Sequence, residues 1–402
     1  MPSALPAGDP APDDGRLPGA ALDGLGDRPF GVYVHVPFCA TRCGYCDFNT
    51  YTAGELGTSA SPESWLTGLR RELDLAARVL GDPPAADTVF VGGGTPSLLG
   101  ADGLADVLAA VRDTVGLAPG AEVTTESNPE STSSEFFDGI RAAGYTRVSL
   151  GMQSAAPHVL ATLDRTHTPG RAAAAAGEAR AAGFEHVSLD LIYGTPGEST
   201  GDLRASLDAV LAAGVDHVSA YALIVEEGTA LARRIARGDL AAPDDDTQAA
   251  DYELIDDTLT AAGFGWYEVS NWAVSPDARC RHNMGYWLGA DWWGAGPGAH
   301  SHVGGVRWWN VKHPARYATT LAEGRSPAAG REVLADADRT IERILLELRL
   351  SDGLPASVLA DPAEAEAAVA DGLLDGAELA AGRCVLTRRG RLLADAVVRR
   401  LT

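Results

Sequence analysis

Lysine is almost missing from this sequence, because Lys312 is the only one among 402 residues. The basic side chains are therefore nearly all arginine, and the formal net charge is −23. Phosphate backbones are held by clustered lysine and arginine, so this acidic balance argues against a nucleic-acid partner. The chain also lacks a run of roughly 20 apolar residues that could span a bilayer, and its N-terminus lacks the basic and apolar regions of a signal peptide. We expect a cytoplasmic protein with at most peripheral membrane association.

Cysteine is scarce too, and three of the five cysteines stand together in a CxxxCxxC loop as Cys39, Cys43 and Cys46. Three thiolates at this spacing can hold three irons of a cubane iron–sulfur cluster, which leaves the fourth iron open to bind a small molecule. A structural zinc site would need a fourth cysteine or histidine at a matching spacing. Because Cys280 and Cys384 stand alone, we favour the cluster over zinc.

The residues around this loop carry a family resemblance. The segment from Tyr33 to Cys39 reads Tyr-x-His-x-Pro-Phe-Cys, and Tyr45 precedes the third cysteine. This pattern resembles the radical S-adenosylmethionine superfamily and, within it, the coproporphyrinogen-oxidase-like (HemN/HemW) family, from about Phe30 to the C-terminus. The resemblance implies a 4Fe-4S cluster on the three cysteines, with S-adenosylmethionine bound at the open iron.

Short β-branched runs alternate with longer amphipathic stretches from Phe30 onwards. Strands are predicted at 31–36, 88–91, 122–126, 147–151, 186–192 and 217–222. Helices are predicted at 62–80, 101–115, 133–143, 170–182 and 199–213. Each return to a parallel strand needs a crossover helix, so the pattern predicts an α/β fold built as a partial, open (β/α)6 TIM-like barrel. The radical S-adenosylmethionine family has such a barrel.

Composition and resemblance together divide the chain into four predicted segments. Residues 1–28 are rich in Pro, Gly, Ala and Asp without an apolar period, which is typical of a disordered leader. Residues 29–262 would form the core barrel, with a last helix at 244–262, and residues 263–335 would close it. Residues 336–402 resemble the HemN-type C-terminal domain, a small α+β unit with a helix at 339–350 and a wing-like hairpin. Wing-shaped modules often bind DNA, but the acidic balance favours a docking or lid role.

Polar residues follow strand after strand, at the end where parallel barrels build their active sites. Gly92 to Pro96 follow the second strand, and a run of glycines lets backbone approach a ligand closely. Glu126 ends the third strand, where a buried charge is costly unless a ligand or a cation pairs with it. An N-cap or a core ion pair is the alternative role for Glu126. The family resemblance implies that S-adenosylmethionine is bound by Tyr33, Gly93, Gly94, Thr95, Glu126, Gln153, Arg165, Asp190 and Ala222.

A second motif, HNxxYW, runs from His282 to Trp287. A neutral imidazole can ligate haem iron, and the rings of Tyr286 and Trp287 offer the flat apolar surface that a porphyrin face prefers. From the residues alone, a core histidine among aromatic side chains is the favoured interpretation. The motif resembles the haem-binding signature of HemW-type chaperones, which implies that His282 ligates haem. A glycine-rich loop downstream adds His300 and His302 as secondary candidates.

Three functions follow from these motifs. The first is a HemW-type haem chaperone that delivers haem to respiratory haem proteins. The alternative is an oxygen-independent coproporphyrinogen III oxidase, in which a radical derived from S-adenosylmethionine starts an oxidative decarboxylation. Those oxidases have a further cysteine two positions after the third cluster ligand, whereas this chain has Phe48 there. They also have a structured N-terminal extension, whereas a low-complexity leader is predicted here. A plain electron-transfer protein would not need Glu126, Gln153 and Asp190 at successive strand ends.

The resemblance also implies partners. Haem or a porphyrin is the expected ligand, and a flavodoxin or ferredoxin is the expected electron donor. A homodimer is a further expectation. No catalytic residue is assigned from the sequence.

Overall fold

The computed structural model describes residues 8–81 and 83–402. Its framework is one twelve-stranded sheet. The strands are β1 (Phe30–Val36), β2 (Ala86–Gly93), β3 (Leu117–Ser127), β4 (Arg147–Gln153), β5 (His186–Tyr193), β6 (His217–Ala222), β7 (Gly265–Glu268), β8 (Asn271–Ala273), β9 (Asp291–Ala295), β10 (His300–Val303), β11 (Val306–Asn310) and β12 (Ala328–Val333). Across the sheet their order is β12-β11-β10-β9-β1-β2-β3-β4-β5-β6-β8-β7.

Helices connect these strands and complete the C-terminal part. Those of five or more residues are α1 (Pro62–Leu80), α2 (Gly100–Thr114), α3 (Ser134–Ala143), α4 (Pro157–Thr162), α5 (Arg171–Ala181), α6 (Thr200–Ala213), α7 (Ala230–Ala236), α8 (Asp245–Ala261), α9 (Arg281–Trp287), α10 (Pro314–Ala322), α11 (Asp336–Glu347), α12 (Pro362–Ala370), α13 (Gly376–Ala380), α14 (Arg388–Leu392) and α15 (Ala394–Leu401). Within the described residues, none of the helices is both long and apolar enough to cross a membrane.

The strands β1 to β6 form the parallel part of the sheet. They lie side by side in chain order, and each is parallel to the next. The helices α1, α2, α3, α5 and α6 cross between them, and α4 adds a short turn before α5. These six βα units confirm the predicted α/β fold and its alternation of strands and helices.

Alternating side chains separate the core from the site. In β1, Val32 and Val34 are fully buried in the main apolar core, as are Val89 and Val91 in the neighbouring strand β2. Tyr33 alternates with the two β1 valines and lines a cavity on the other face. The valines therefore fix the barrel against its helices, while the residues between them are available for chemistry.

Helix ends follow the local sequence. Ser61 caps α1 by accepting a hydrogen bond from the Ser64 N–H, and proline occupies the first helical position. Ser199 and Asp202 form a reciprocal capping box at the start of α6. These caps place two crossover helices at the boundaries that the sequence pattern predicts.

The sheet extends beyond the six predicted strands on both sides. β9 adds parallel to β1, and β10 to β12 continue it as antiparallel neighbours. On the far side, β8 pairs antiparallel with β6 and carries β7. These strands are three to six residues long, so they lack the long apolar period by which β1 to β6 were predicted.

The prediction of a disordered leader is wrong for residues 8–28. Leu17 and Ala21 are buried in the main apolar core, and a one-turn helix spans Gly19–Leu22. Asp9 exchanges two backbone hydrogen bonds of 2.9 Å with Arg331 of β12. A few apolar side chains thus dock a segment whose overall composition resembles disorder. Residues 1–7 lie outside the described residues.

The C-terminal part has an apolar core of its own. Ile344, Leu348, Leu374 and Val397 are among its buried members. The predicted wing-like hairpin is wrong in its connection, because the two-residue strand Arg383–Cys384 pairs with Leu354–Pro355 and not with an adjacent segment. Along the chain, the helices α12 and α13 come between these two short strands. The boundaries predicted for the four segments stay predictions.

Candidate functional site

One cavity of about 1,640 Å³ lies at the C-terminal ends of β1 to β6. All thirteen residues predicted to bind a cofactor or metal line it, namely Tyr33, Cys39, Cys43, Cys46, Gly93, Gly94, Thr95, Glu126, Gln153, Arg165, Asp190, Ala222 and His282. Sites for one small molecule typically span about 300–1,000 Å³, so this cavity has room for more than one ligand.

The cysteine loop follows β1, and its short strand Phe38–Cys39 pairs with Tyr51–Thr52. Thr95 donates a hydrogen bond from Oγ1 to Sγ of Cys39 at 3.7 Å, and Arg165 donates from Nη1 to Sγ of Cys43 at 3.3 Å. Burial raises the pKa of the Cys46 thiol to about 11. The loop is held at two sulfurs by residues from other strand ends.

The three thiols are candidate ligands of an iron–sulfur cluster. Within residues 8–81 and 83–402, no group of three or more His, Cys, Asp or Glu side chains is placed to hold one metal ion. A cubane cluster binds each thiolate to a different iron, so its cysteines line a wall and do not converge on one point. Cluster ligation also removes the thiol protons, which the raised pKa of Cys46 would otherwise retain.

The glycine run at the end of β2 forms backbone hydrogen bonds to the segment that leads into the cysteine loop. The Gly94 N–H donates to the carbonyl of Val36 at 2.7 Å, and the Thr95 N–H donates to the carbonyl of Phe38 at 2.8 Å. A Cβ on Gly94 would lie 2.5 Å from that Phe38 oxygen, so only glycine permits the contact. These two backbone amides therefore dock the cysteine loop, a role that the sequence analysis did not predict.

Two carboxylates of the cavity, on β3 and β5, have altered pKa values. Burial raises the pKa of Glu126 to about 7, although the Gly93 N–H donates to its Oε2 at 2.9 Å. Burial also raises the pKa of Asp190, whose carboxylate accepts hydrogen bonds from Ser149 and Ser188. The negative charge of Asp190 further raises the pKa of Glu126. A positively charged ligand in the cavity would stabilise both ionised carboxylates.

Gln153 has a strained backbone, with φ of 67° at the end of β4. The pairing of β4 with β5 shifts register between Gly151 and Gln153, so the strand bulges there. Arg165 donates from Nη2 to the Gly151 carbonyl at 3.2 Å and thus ties the bulge to Cys43. A left-handed backbone conformation costs roughly 1–3 kcal/mol for a residue with a Cβ. Residues in this conformation are most often found at functional sites.

Tyr33 is oriented by a chain of hydrogen bonds. His35 Nε2 lies 2.9 Å from the backbone carbonyl of Asn49, and since a carbonyl only accepts, the proton is on Nε2. His35 Nδ1 therefore accepts the bond of 3.0 Å from the Tyr33 hydroxyl. The Asn49 side chain donates to the carbonyls of Pro297 and Lys312. The chain links Tyr33 to the glycine-rich loop before β10.

That glycine-rich loop packs against the end of β1, from which the cysteine loop starts. Gly296 has φ of 107°, and a Cβ there would lie 2.5 Å from the carbonyl oxygen of His35. The Gly296 N–H donates at 2.8 Å to Glu72, a fully buried carboxylate that also accepts from Asn310 and Tyr317. Thus α1, β11 and α10 hold the loop in place.

His282 lies on the cavity wall with both ring nitrogens engaged. Nδ1 is 2.8 Å from Thr88 Oγ1, and Nε2 is 2.8 Å from the Tyr286 hydroxyl. The ring stacks on Phe90 with centroids 5.3 Å apart. Burial lowers the pKa of His282 to about 4, so the imidazole is neutral at physiological pH. A haem iron would find the correct protonation state but would have to replace one of these two hydrogen bonds.

The start of α9 is anchored by a carboxylate that the sequence analysis missed. Glu122 accepts hydrogen bonds at 3.0 Å from the backbone N–H groups of Arg281 and His282. It also forms a buried ion pair with Arg147 at 3.2 Å. Strand periodicity could have predicted this residue. Residues at i, i+2 and i+4 of a strand share a face, and Glu122 lies four residues before Glu126 on the same strand.

The secondary histidine candidates lie away from the cavity lining. His300 stacks near Trp309, and His302 lines a smaller pocket of about 340 Å³ together with Trp287. Ala222 ends β6 opposite Tyr193 of β5 and places a small side chain at the cavity wall. The HNxxYW motif is therefore divided, with His282 and Tyr286 at the cavity and Trp287 at the smaller pocket.

Known proteins resemble the chain in sequence and in structure. A model of the radical SAM superfamily matches residues 33–210. The heme chaperone HemW of Mycobacterium tuberculosis is 65% identical over 389 residues, which cover 96% of this chain and 97% of that protein. HemW of Bacillus subtilis is 31% identical over 385 residues, covering 91% and 97%. HemW of Escherichia coli is 33% identical over 333 residues, covering 81% and 84%.

Among solved structures, coproporphyrinogen III oxidase (HemN) of Escherichia coli superposes with a TM-score of 0.81 and 22% identity, covering 97% of this chain and 94% of that one. At that identity the likeness shows the fold alone. The identity to the heme chaperones, in contrast, extends over nearly their whole length. The chain belongs to the HemW family of heme chaperones within the radical SAM superfamily.

Proposed function

We propose that the chain is a HemW-type haem chaperone that holds a 4Fe-4S cluster, S-adenosylmethionine and haem in one cavity and delivers the haem to respiratory haem proteins. The observation that carries this proposal is the convergence of thirteen residues, from motifs far apart in the chain, on one cavity wall. Membership of the radical SAM superfamily implies the cluster and S-adenosylmethionine. The name of the relatives implies haem.

Cys39, Cys43 and Cys46 are the proposed cluster ligands. When bound, the cluster supplies an iron with an open coordination position. The protein's part is to hold the loop, through Thr95 on Cys39 and through Arg165 on Cys43. Each of these two sulfurs thus accepts a hydrogen bond from a residue outside the loop.

The proposed residues for S-adenosylmethionine surround this loop. Glu126 and Asp190 offer negative charge to the cationic groups of the ligand, and burial makes that pairing strong. Arg165 is suited to a carboxylate through its planar guanidinium. Gln153 is fixed by the bulge in β4, so its side chain is positioned before the ligand arrives.

His282 is the proposed haem ligand. Its neutral imidazole, its place on the cavity wall and the stacked Phe90 ring support this role. The hydrogen bond between Nε2 and the Tyr286 hydroxyl has to open before iron can bind at Nε2, so ligation there is coupled to a movement of Tyr286.

The oxidase alternative receives no specific support from the cavity. Its structural relative shares the fold at 22% identity. Phe48 stands where those oxidases have a further cysteine, and this side chain is 47% exposed at the cavity.

The test combines two measurements on one anaerobically reconstituted preparation. Haem binding is followed by absorbance, and coproporphyrinogen decarboxylation is assayed with reductant and S-adenosylmethionine. We expect haem binding without decarboxylation, loss of the haem spectrum in His282→Ala, and its retention in the control His302→Ala. The double variant Cys39→Ser with Cys43→Ser should lose the cluster and keep haem. Decarboxylation without a stable haem complex would identify an oxidase and overturn the proposal.

A further inference from the structure

An apolar rim surrounds the mouth of the cavity. Eleven large apolar side chains are exposed in the described part of the chain, and six of them line this one cavity. The six are Phe48, Leu98, Tyr221, Ile224, Leu392 and Leu393, with exposed fractions from 37% to 67%. Tyr221 lies inside the cavity, near Asp190 and Ser219, and the other five form the rim. Exposed apolar side chains that cluster in this way are typical of a binding site, whereas single scattered ones are normal on any protein surface.

The rim is built from two separate parts of the fold. Phe48 belongs to the cysteine loop, and Ile224 follows β6, so these two residues come from barrel loops. Leu392 and Leu393 come from the end of α14 in the C-terminal part. A ligand at the mouth would therefore contact the barrel and the C-terminal part at the same time.

Three arginines of the C-terminal part also line the cavity, and their pairing differs. Arg391 is held by both oxygens of Asp256, at 3.1 and 2.9 Å, and Arg349 is paired with Asp395. Arg389 donates from Nη1 to the backbone carbonyl of Asp371, and among the described residues it has no carboxylate partner within salt-bridge distance. In a chain with a net charge of −23, such a guanidinium beside apolar side chains is available to an anionic ligand.

We propose that this mouth holds the haem macrocycle, with Leu392 and Leu393 against the ring and Arg389 paired with a propionate carboxylate. A flat apolar ring with carboxylates at its edge matches both the rim and the arginine. S-Adenosylmethionine also has a carboxylate, but it has no large flat apolar face and so does not match the rim. The inference rests on the proposed haem function, and it adds ring and carboxylate contacts that do not depend on the axial ligand.

The test compares rim variants with matched controls in the full chain. Leu392→Ser with Leu393→Ser removes the C-terminal side of the rim. The control is Ile341→Ser with Leu345→Ser, which changes two apolar residues of α11 that are 47% and 39% exposed and do not line the cavity. Arg389→Gln is compared with Arg399→Gln, an exposed arginine of α15 outside the cavity lining. All six substituted residues are exposed, so the four variants should fold.

Each variant is titrated with haem and with haem dimethyl ester, in which both carboxylates are blocked. The leucine pair should weaken both ligands about tenfold, because each leucine loses part of its buried apolar area. Arg389→Gln should weaken haem about threefold and leave the ester unchanged, which is the range for a solvated ion pair. The absorbance signature of the axial ligand should stay that of the parent protein in every rim variant.

The outcomes separate this inference from the function on which it rests. If the parent protein binds haem and the leucine variant binds it as tightly as its control, haem is held elsewhere and the inference is wrong. If Arg389→Gln weakens the binding of haem and of the ester equally, Arg389 does not pair with a propionate carboxylate. If the parent protein binds no haem at all, the proposed function itself fails. Parent haem binding with lost affinity only in the rim variants establishes the mouth as the haem contact surface.

Discussion

His282 and Tyr286, four residues apart on α9, are joined by a hydrogen bond of 2.8 Å between Nε2 and the phenol oxygen. The imidazole that is proposed to bind iron is thus already bonded at that nitrogen. Its other nitrogen is bonded to Thr88. If iron binds at Nε2, Tyr286 competes with it and Thr88 holds the ring in place.

Removal of the Tyr286 hydroxyl should therefore favour haem binding. In Tyr286→Phe, haem affinity should rise about fivefold, because a net hydrogen bond of about 1 kcal/mol no longer has to be broken. Stopped-flow absorbance would measure association and dissociation. Thr88→Val is the comparison, since it removes the partner on the other nitrogen and should not strengthen binding. Equal gains in both variants would mean that Tyr286 has no special role.

Binding of S-adenosylmethionine should strengthen as the pH rises through the region around 7. The pKa of Glu126 is raised to about 7 by burial, so its carboxyl is mostly protonated below that pH and ionised above it. Only the ionised form attracts the cationic groups of the ligand. Equilibrium binding measured on both sides of this pKa should show the increase, and Glu126→Gln should abolish it.

A matched control for this pH effect is Glu198→Gln. Burial also raises the pKa of Glu198 to about 7, but this residue does not line the cavity. The pH dependence of binding should persist in this variant. If Glu198→Gln removes the dependence and Glu126→Gln leaves it intact, Glu126 is not the group that faces the ligand.

Gly296→Ala should disturb the cysteine loop. The new Cβ would combine a positive φ of 107° with a contact 2.5 Å from the His35 carbonyl. We expect a loss of about 2–4 kcal/mol in unfolding free energy, from strain and overpacking together, and a lower iron content after reconstitution. Urea denaturation and iron analysis would measure both.

The control is Gly289→Ala, where φ is also positive, at 65°, but the added Cβ meets nothing within 4 Å. Backbone strain alone should cost about 1 kcal/mol there and leave the iron content unchanged. Equal losses at the two glycines would show that the contact with His35 does not matter.

The leader should contribute to folding stability. Leu17→Ala removes a side chain that is 7% exposed in the main core and should cost about 2–3 kcal/mol, as other buried leucines do. The control Leu345→Ala changes a leucine of α11 that is 39% exposed, and its cost should stay below about 1 kcal/mol. Thermal unfolding would measure both variants. A leader that is disordered in solution would give no effect at Leu17.

The barrel could be predicted from local patterns, whereas the list of candidate site residues came from the family resemblance that the motifs carry. β-Branched runs predict strands by their period, and the CxxxCxxC and HNxxYW motifs are contiguous. The contacts of His282 were out of reach, since Thr88 and Glu122 lie more than 150 residues before it in the chain. The burial of Leu17 was missed for a related reason. The composition of a segment is an average, and it does not reveal that a single side chain of the segment docks in the core.

The shared cavity has a thermodynamic consequence. S-Adenosylmethionine and haem are proposed to bind to walls of the same space, from Cys39 and Glu126 to His282. Two ligands that meet in one space change each other's affinity, and the two changes must be equal in size and sign. A chaperone built in this way would need no separate signal to release its cargo, because occupancy of one site would itself set how tightly the other is held.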